Sequence, residues 1–239
     1  LGMVLVTQIG GLVQTIIASQ AASARETNAD PGIAIASVAA SSIAWLIFML
    51  PHSIATVSIA TASFTKISTH AAAKKFKELK ADLGSSLRAI LAISAIATAV
   101  LMVLAYPIAR VFVGEYPSTI ALGNVLVAMM FGLIPFSVVF MLQRAFYALE
   151  DTKTPFVFTV VQIALFIAGA VTVSFTVPAQ WLVAAMALVN SVSITVQAII
   201  AYRVLGKRIG AFESLKLPST LLSMILAAAL AGGVGISTL

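Results

Sequence analysis

The chain has 239 residues, 61% hydrophobic and only 9% charged, with a mean hydropathy of +1.09. A soluble domain carries about 25% charged residues, so a chain this poor in charge could not cover a water-facing surface, and the composition points to an integral membrane protein. The net charge of +6 does not indicate nucleic acid, because the basic residues are not gathered on one soluble face; without cysteine there is no disulfide framework, thiolate metal site or cysteine nucleophile.

A bilayer core about 30 Å thick is crossed by ~20 apolar helical residues. Seven stretches meet that length: 1–24, 33–65, 87–113, 118–142, 156–177, 179–202 and 218–239. They are too long for barrel strands, and backbone groups in lipid must be satisfied internally, so the spans are read as helices. The first begins inside an apolar run without an initiator methionine, and the last also ends in one. These ends predict a fragment of a longer membrane protein.

The second stretch opens on Asp30-Pro31, an N-cap followed by a first-turn proline, and carries Pro51 at mid-span. Proline removes a helical hydrogen bond, so a kink is expected there, and another at Pro135 in the fourth span. Between the second and third spans, Phe76, Leu79, Leu83 and Leu87 recur at steps of three and four, with Lys74, Lys75, Lys77 and Lys80 on the remainder. That pattern predicts a short amphipathic helix at 66–86 lying on the inner leaflet, its lysines near anionic membrane lipids. The fourth and fifth spans are joined by "QRAFYALEDTKTP" (143–155), with Thr154-Pro155 read as the start of the fifth and Asp151 as a local cap or pair. Gly10-Gly11 and Gly232-Gly233 permit close helix contact.

Basic residues in short loops concentrate on the cytoplasmic side. The connections after spans two, four and six hold twelve of the fourteen, including Lys66, Arg88, Arg144, Lys153, Arg203, Lys207, Arg208 and Lys216; the other side holds only Arg25 and Arg110. The loops 66–86, 143–155 and 203–217 are therefore expected in the cytoplasm.

No phosphate-binding glycine loop, HExxH, GxSxG or metal-spaced histidine cluster is present. His52 and His70 stand far apart, and His70 is expected to be solvated. With no acid, base and nucleophile together, neither catalysis nor a metal or other cofactor is expected. Polar residues inside spans are costly. Gln8, Thr15 and Ser19 share one helical face; His52, Thr56 and Ser63 share another; the sixth span has Asn190, Ser191, Ser193, Thr195 and Gln197. These faces fit either a hydrated cavity or hydrogen bonds between helices. Gln8, Gln14, His52 and Thr56 are the candidate cavity residues. Seven spans also suit a retinal protein, but 218–239 has no lysine for a Schiff base.

The segment 143–155 resembles the "RAFYA…DTKTP" element of the MurJ/MviN family of lipid II flippases, with Arg144, Ala145, Phe146, Tyr147, Ala148, Asp151, Thr152, Lys153, Thr154 and Pro155 in order and spacing. In that family it joins the tenth and eleventh helices on the cytoplasmic side. "GGLVQTIIAS" (10–19) is similar to the family's seventh helix, and "AWLIFMLPHSIATVSIATASFTKIS" (44–68) to its eighth. The resemblance covers nearly the whole chain as helices seven to thirteen, in the form of an actinobacterial branch. It departs at Leu46, where many members have a cavity arginine, at Met49, where an acidic residue is frequent, and at Phe64 or Thr65, where a proline is usual. Family cation sites use polar pairs in the seventh and eleventh helices, whereas 163–171 is wholly apolar, which gives no support to an ion site.

The resemblance implies an all-α integral membrane protein of about seven transmembrane helices plus one short interfacial helix, a single membrane domain forming half of a two-lobed transporter of the MOP superfamily. The implied activity is alternating-access flipping of lipid II, with the N-terminal lobe as the missing partner. The alternatives are flipping of another undecaprenyl-linked glycan, or a transport-deficient scaffold for cell-wall synthesis partners, which the lost cavity charge would favour.

Overall fold

The computed structural model describes residues 2–27 and 35–210. The expected span at 218–239, the Asp30-Pro31 cap, Lys216 and Gly232-Gly233 lie outside the described residues. Within them the chain forms α1 (Gly2–Thr27), α2 (Val38–Pro51), a π-helical segment (His52–Val57), α3 (Ser58–Ala72), α4 (Phe76–Val103), α5 (Ala105–Phe112), α6 (Tyr116–Met130), α7 (Leu133–Ala148), α8 (Lys153–Thr176) and α9 (Ala179–Ile209). Among the described residues, four continuous helices are long and apolar enough to cross a membrane: Val38–Ala72, Phe76–Val103, Lys153–Thr176 and Ala179–Ile209; α6 and α7 make a fifth if that bent pair is one span. The fold is an all-α, multi-pass membrane bundle.

Both expected proline kinks have structural counterparts. Pro51 ends α2, and the next six residues wind as a π-helix before α-helical geometry resumes. Pro135 stands three residues into α7, and the chain bends by 43° between α6 and α7. The bend falls at Phe131-Gly132 because Pro135 has no N–H for the Phe131 carbonyl, four residues back. The Gly132 amide turns to Met129 O at 2.9 Å, which releases Ala128 O. The Ser191 hydroxyl of α9 lies 3.0 Å from that carbonyl and 2.9 Å from its own Ala187 O, so one proton serves two acceptors. A Cβ on Gly132 would come within 2.9 Å of Ser191 Oγ and 3.2 Å of Met129 O, so the glycine permits this close crossing.

The amphipathic stretch 66–86 is not a separate surface helix. α3 continues to Ala72, and α4 begins at Phe76 and runs unbroken for 28 residues. The turn between them places Lys74 at φ 54°. Leu79, Leu83 and Leu87 are fully buried against α3 and α7 rather than resting on lipid, while Lys74, Lys75 and Lys77 are exposed. The leucine periodicity therefore records a helix–helix seam. His70, expected to be solvated, lies with Nδ1 3.0 Å from Asp82 Oδ2 and closes this hairpin.

Two cores divide the bundle along its depth. One joins α3, α4, α7 and α9 toward the lysine-rich end; the other joins α2, α5, α6 and parts of α1, α8 and α9 toward the opposite end. Phe136 packs against both. The outer sides of α1 and α2 are covered by neither core, with Leu12 63% and Leu46 67% exposed.

Candidate functional site

A groove of about 430 Å³ opens where α1, α7, α8 and α9 meet, with Trp45 of α2 at its edge. Thr7, Gly10, Gly11 and Gln14 line it from α1, Gln143 from α7, Thr159 and Gln162 from α8, and Asn190 and Gln197 from α9. α1 reaches this depth without filling it, because it lines the groove with two adjacent glycines, of which Gly10 lies against α8 and Gly11 faces open space. A Cβ on Gly10 would meet Ile163 at 3.5 Å, and one on Gly11 would meet nothing within 4 Å. A smaller recess of about 40 Å³ continues past Gln14 and Asn190 to Ser41.

Among the described residues no charged side chain lines the groove; its wall is mostly apolar, with Phe136, Val139, Ile163, Phe166 and Ile194, and the amides and hydroxyls are set into it. Gln162 Nε2 donates to Asn190 Oδ1 at 3.3 Å, and Gln197 Nε2 donates to Thr159 Oγ1 at 3.1 Å. Each carboxamide has two donors and two acceptor lone pairs, so one bond leaves most of the capacity of Gln162 and Asn190 available. An uncharged amide surface at membrane depth can hold sugar hydroxyls, peptide groups or water without the desolvation cost of a formal charge.

The four candidate cavity residues are not brought together. Gln14 lines the groove. Gln8 is exposed on α1 outside it. His52 and Thr56, from the π-helical segment, are buried 2% and 0% exposed, and neither lines the groove. His52 Nδ1 lies 3.2 Å from Ser137 Oγ, and its ring packs 4.6 Å from Phe136 and 5.2 Å from Phe140. Phe136, Phe140 and Trp45 form a common wall, with His52 packed on the two phenylalanines and the groove lined by all three. Thr159 and Gln162 escaped the sequence reading as interruptions of a strongly apolar span; a lone amide one residue before the apolar run 163–171 was the available signal. Leu46 lies on the exposed side of α2.

The 143–155 segment is a built joint. Asp151 Oδ1 accepts from the amides of Lys153 and Thr154, each at 3.0 Å, and Oδ2 accepts from the Thr154 hydroxyl at 2.6 Å and from Arg208 Nη1 at the end of α9. α8 thus starts at Lys153, just before the expected Thr154-Pro155 start, with Asp151 accepting from its first amides and the Thr154 hydroxyl donating back to Asp151. Partial burial pushes the Asp151 carboxyl up, but the Thr154 hydroxyl and amide and the Arg208 guanidinium outweigh this and hold it down at about 2. Arg144 stacks with Cζ 4.9 Å from the Phe140 ring centre.

The family model "Lipid II flippase MurJ" matches residues 1–239, the whole chain. The chain belongs to the lipid II flippase MurJ family. The fold agrees with a solved structure described as lipid II flippase MurJ in an inward closed conformation, at 19% identity and a TM-score of 0.69. That alignment covers 99% of this chain and 51% of the other, so the chain spans about half the length of this family structure. The groove, the proline-broken spans and the Asp151 joint are thus features of a MurJ-family half.

Proposed function

We propose that this chain forms one lobe of a two-lobed flippase that carries lipid II across the bacterial plasma membrane by alternating access. The observation that carries the reading is the amide-lined groove at membrane depth: a polar headgroup must cross where lipid cannot solvate it, and Gln14, Gln162 and Asn190 supply neutral donors and acceptors there. The groove is one wall, and the N-terminal lobe of the same protein would complete the cavity. The uncovered sides of α1, α2 and the π-helical segment, with Leu12, Leu46 and Ile54 exposed, are the surface offered to that lobe. The tail would stay in the bilayer while the lobes rock about the headgroup. No covalent step is involved, so the protein acts as a transporter and not as an enzyme.

In this reading 66–86, 143–155 and 203–217 lie in the cytoplasm, since the lysine-rich turns at Lys74, Lys75 and Lys77, Lys153 and Arg208 share one end of the bundle. Gln8, exposed on α1, joins the cavity from the side facing the other lobe, and the lysines meet anionic inner-leaflet lipids. His52 and Thr56 act behind the wall by seating the π-helical turn.

The test is complementation. The intact protein, expressed in cells depleted of their own lipid II flippase, is expected to restore growth and outer-face accessibility of lipid II. Restored export of a different undecaprenyl-linked glycan without lipid II would assign another substrate. Absence of any flipping by a well-folded, membrane-inserted protein would favour a scaffold.

A further inference from the structure

At the end of the bundle opposite the lysine-rich turns lies a cavity larger than the groove, about 640 Å³, lined by Tyr106, Arg110 and Val111 of α5, Tyr116 and Asn124 of α6, and Trp181 at the start of α9. Its volume is in the range of ligand pockets. The walls are positioned rather than loose. α5 is set off from α4 by the break at Leu104, buries Ala105 and Ala109, and turns Val111 outward. The Tyr106 ring lies against Gly123, where any Cβ would come within 2.4 Å, and its hydroxyl donates to Asn124 Oδ1 at 2.8 Å. Thr119 Oγ1 lies 3.0 Å from Val113 O and 2.9 Å from Glu115 O and fixes the connecting turn.

Among the described residues, Arg110 is the one charged side chain lining this cavity, and it has neither an ion-pair nor a hydrogen-bond partner there. Arg208 at the other end differs, being engaged by Asp151. Glu115, the acidic residue of the same turn, does not line the cavity. An unpaired guanidinium offers a planar fork suited to a phosphate. Around it stand Tyr116, 73% exposed, and Trp181, 49% exposed, rings of the kind that sit at the membrane–water boundary with one side apolar and one polar. Val111, 83% exposed, adds apolar surface beside the guanidinium. A soluble anion would use only the arginine; a molecule with one phosphate and an attached hydrocarbon tail would use the whole surface.

We propose that this cavity is a binding site for an anionic glycerophospholipid of the leaflet at this end of the bundle, its phosphate held by Arg110, its glycerol region beside Tyr106 and Asn124, and an acyl chain along Val111 and Trp181. The site is separate from the amide groove: the two share no lining residue. A lipid there would tether α5 and the α5–α6 turn to the start of α9.

The test uses the intact protein in nanodiscs containing a photoactivatable phosphatidylglycerol, with labelled peptides mapped by mass spectrometry. Labelling between Tyr106 and Asn124 is expected, with competition by excess phosphatidylglycerol and none by phosphatidylcholine or inorganic phosphate. Arg110→Gln should cut that labelling about tenfold, as loss of one charge-assisted phosphate contact implies, whereas Arg110→Lys, which keeps the charge but not the planar fork, should fall between the two. Undiminished labelling elsewhere reports an intact fold. Equal labelling in Arg110→Gln overturns the proposal, as does equal competition by phosphatidylcholine. Competition by inorganic phosphate replaces the lipid with a soluble anion and overturns it too.

Discussion

Asp151 shows how a charged residue between two apolar spans earns its place without chemistry. Its two oxygens receive two amides, a hydroxyl and a guanidinium, so one side chain starts α8 and ties it to the end of α9. Asp151→Ala should lose the cap, about 1 kcal/mol, and the part-exposed ion pair, at most about 1 kcal/mol more. Asp151→Asn should keep most of the cap and lose only the pair. Chemical unfolding of the intact protein in micelles separates the two variants. The pH dependence has a definite sign. The folded carboxyl is held at about 2 against an ordinary 3.8, so its contribution is complete above about pH 4 and is lost as pH falls toward 2. The wild type should therefore lose its advantage over Asp151→Ala across that window, and a constant difference down to pH 2 would show that the carboxylate is not what stabilises the joint.

Among the elements, the second membrane span has the most unusual geometry. A π-helical turn arises when one extra residue is accommodated without ending the helix, and such turns are frequent at functional positions. Here it follows Pro51 and carries His52 to Ser137 and Phe136 on α7. Deletion of Ile54, which is 73% exposed, should convert the turn to regular α-helix at little cost in packing. The expected result is a folded protein with near-normal thermal stability but an altered His52 environment, read from the histidine ring resonances, and reduced transport. Unfolding on deletion would instead show that the extra residue is needed for the bundle itself. The positions of both helix breaks were legible in the sequence, because proline's missing N–H acts locally. The seam made by Leu79, Leu83 and Leu87 was not, since an apolar stripe that rests on lipid and one that packs on a neighbouring helix have the same spacing. What distinguishes them is that α4 continues without a break, a property of the whole bundle. Asp151 was legible as a cap or pair, but not its partner Arg208, 57 residues away.

At the scale of the molecule, the candidate site depends on how four helices fail to fill the space between them. Sequence reading could find Gln14, because a carboxamide inside a span is expensive wherever it points. It could not find the convergence of Gln14 with Gln162 and Asn190, because their helices are brought together only by tertiary packing, and it could not tell that His52 turns away into α7. The two glycines of α1 offer the sharpest test of whether the empty space matters. Both line the groove, but Gly11 faces open volume while Gly10 lies against Ile163. A bulky side chain at 11 can grow into the groove, whereas one at 10 must displace α8 and carries an overpacking cost of about 1–3 kcal/mol. Gly11→Trp is therefore expected to abolish most transport, about tenfold or more, with thermal stability close to wild type. Gly10→Trp should lower both together. If Gly11→Trp folded normally and still supported outer-face accessibility of lipid II at the wild-type rate, the groove would not be on the substrate's path, and the headgroup would have to pass along the uncovered faces of α1 and α2 instead.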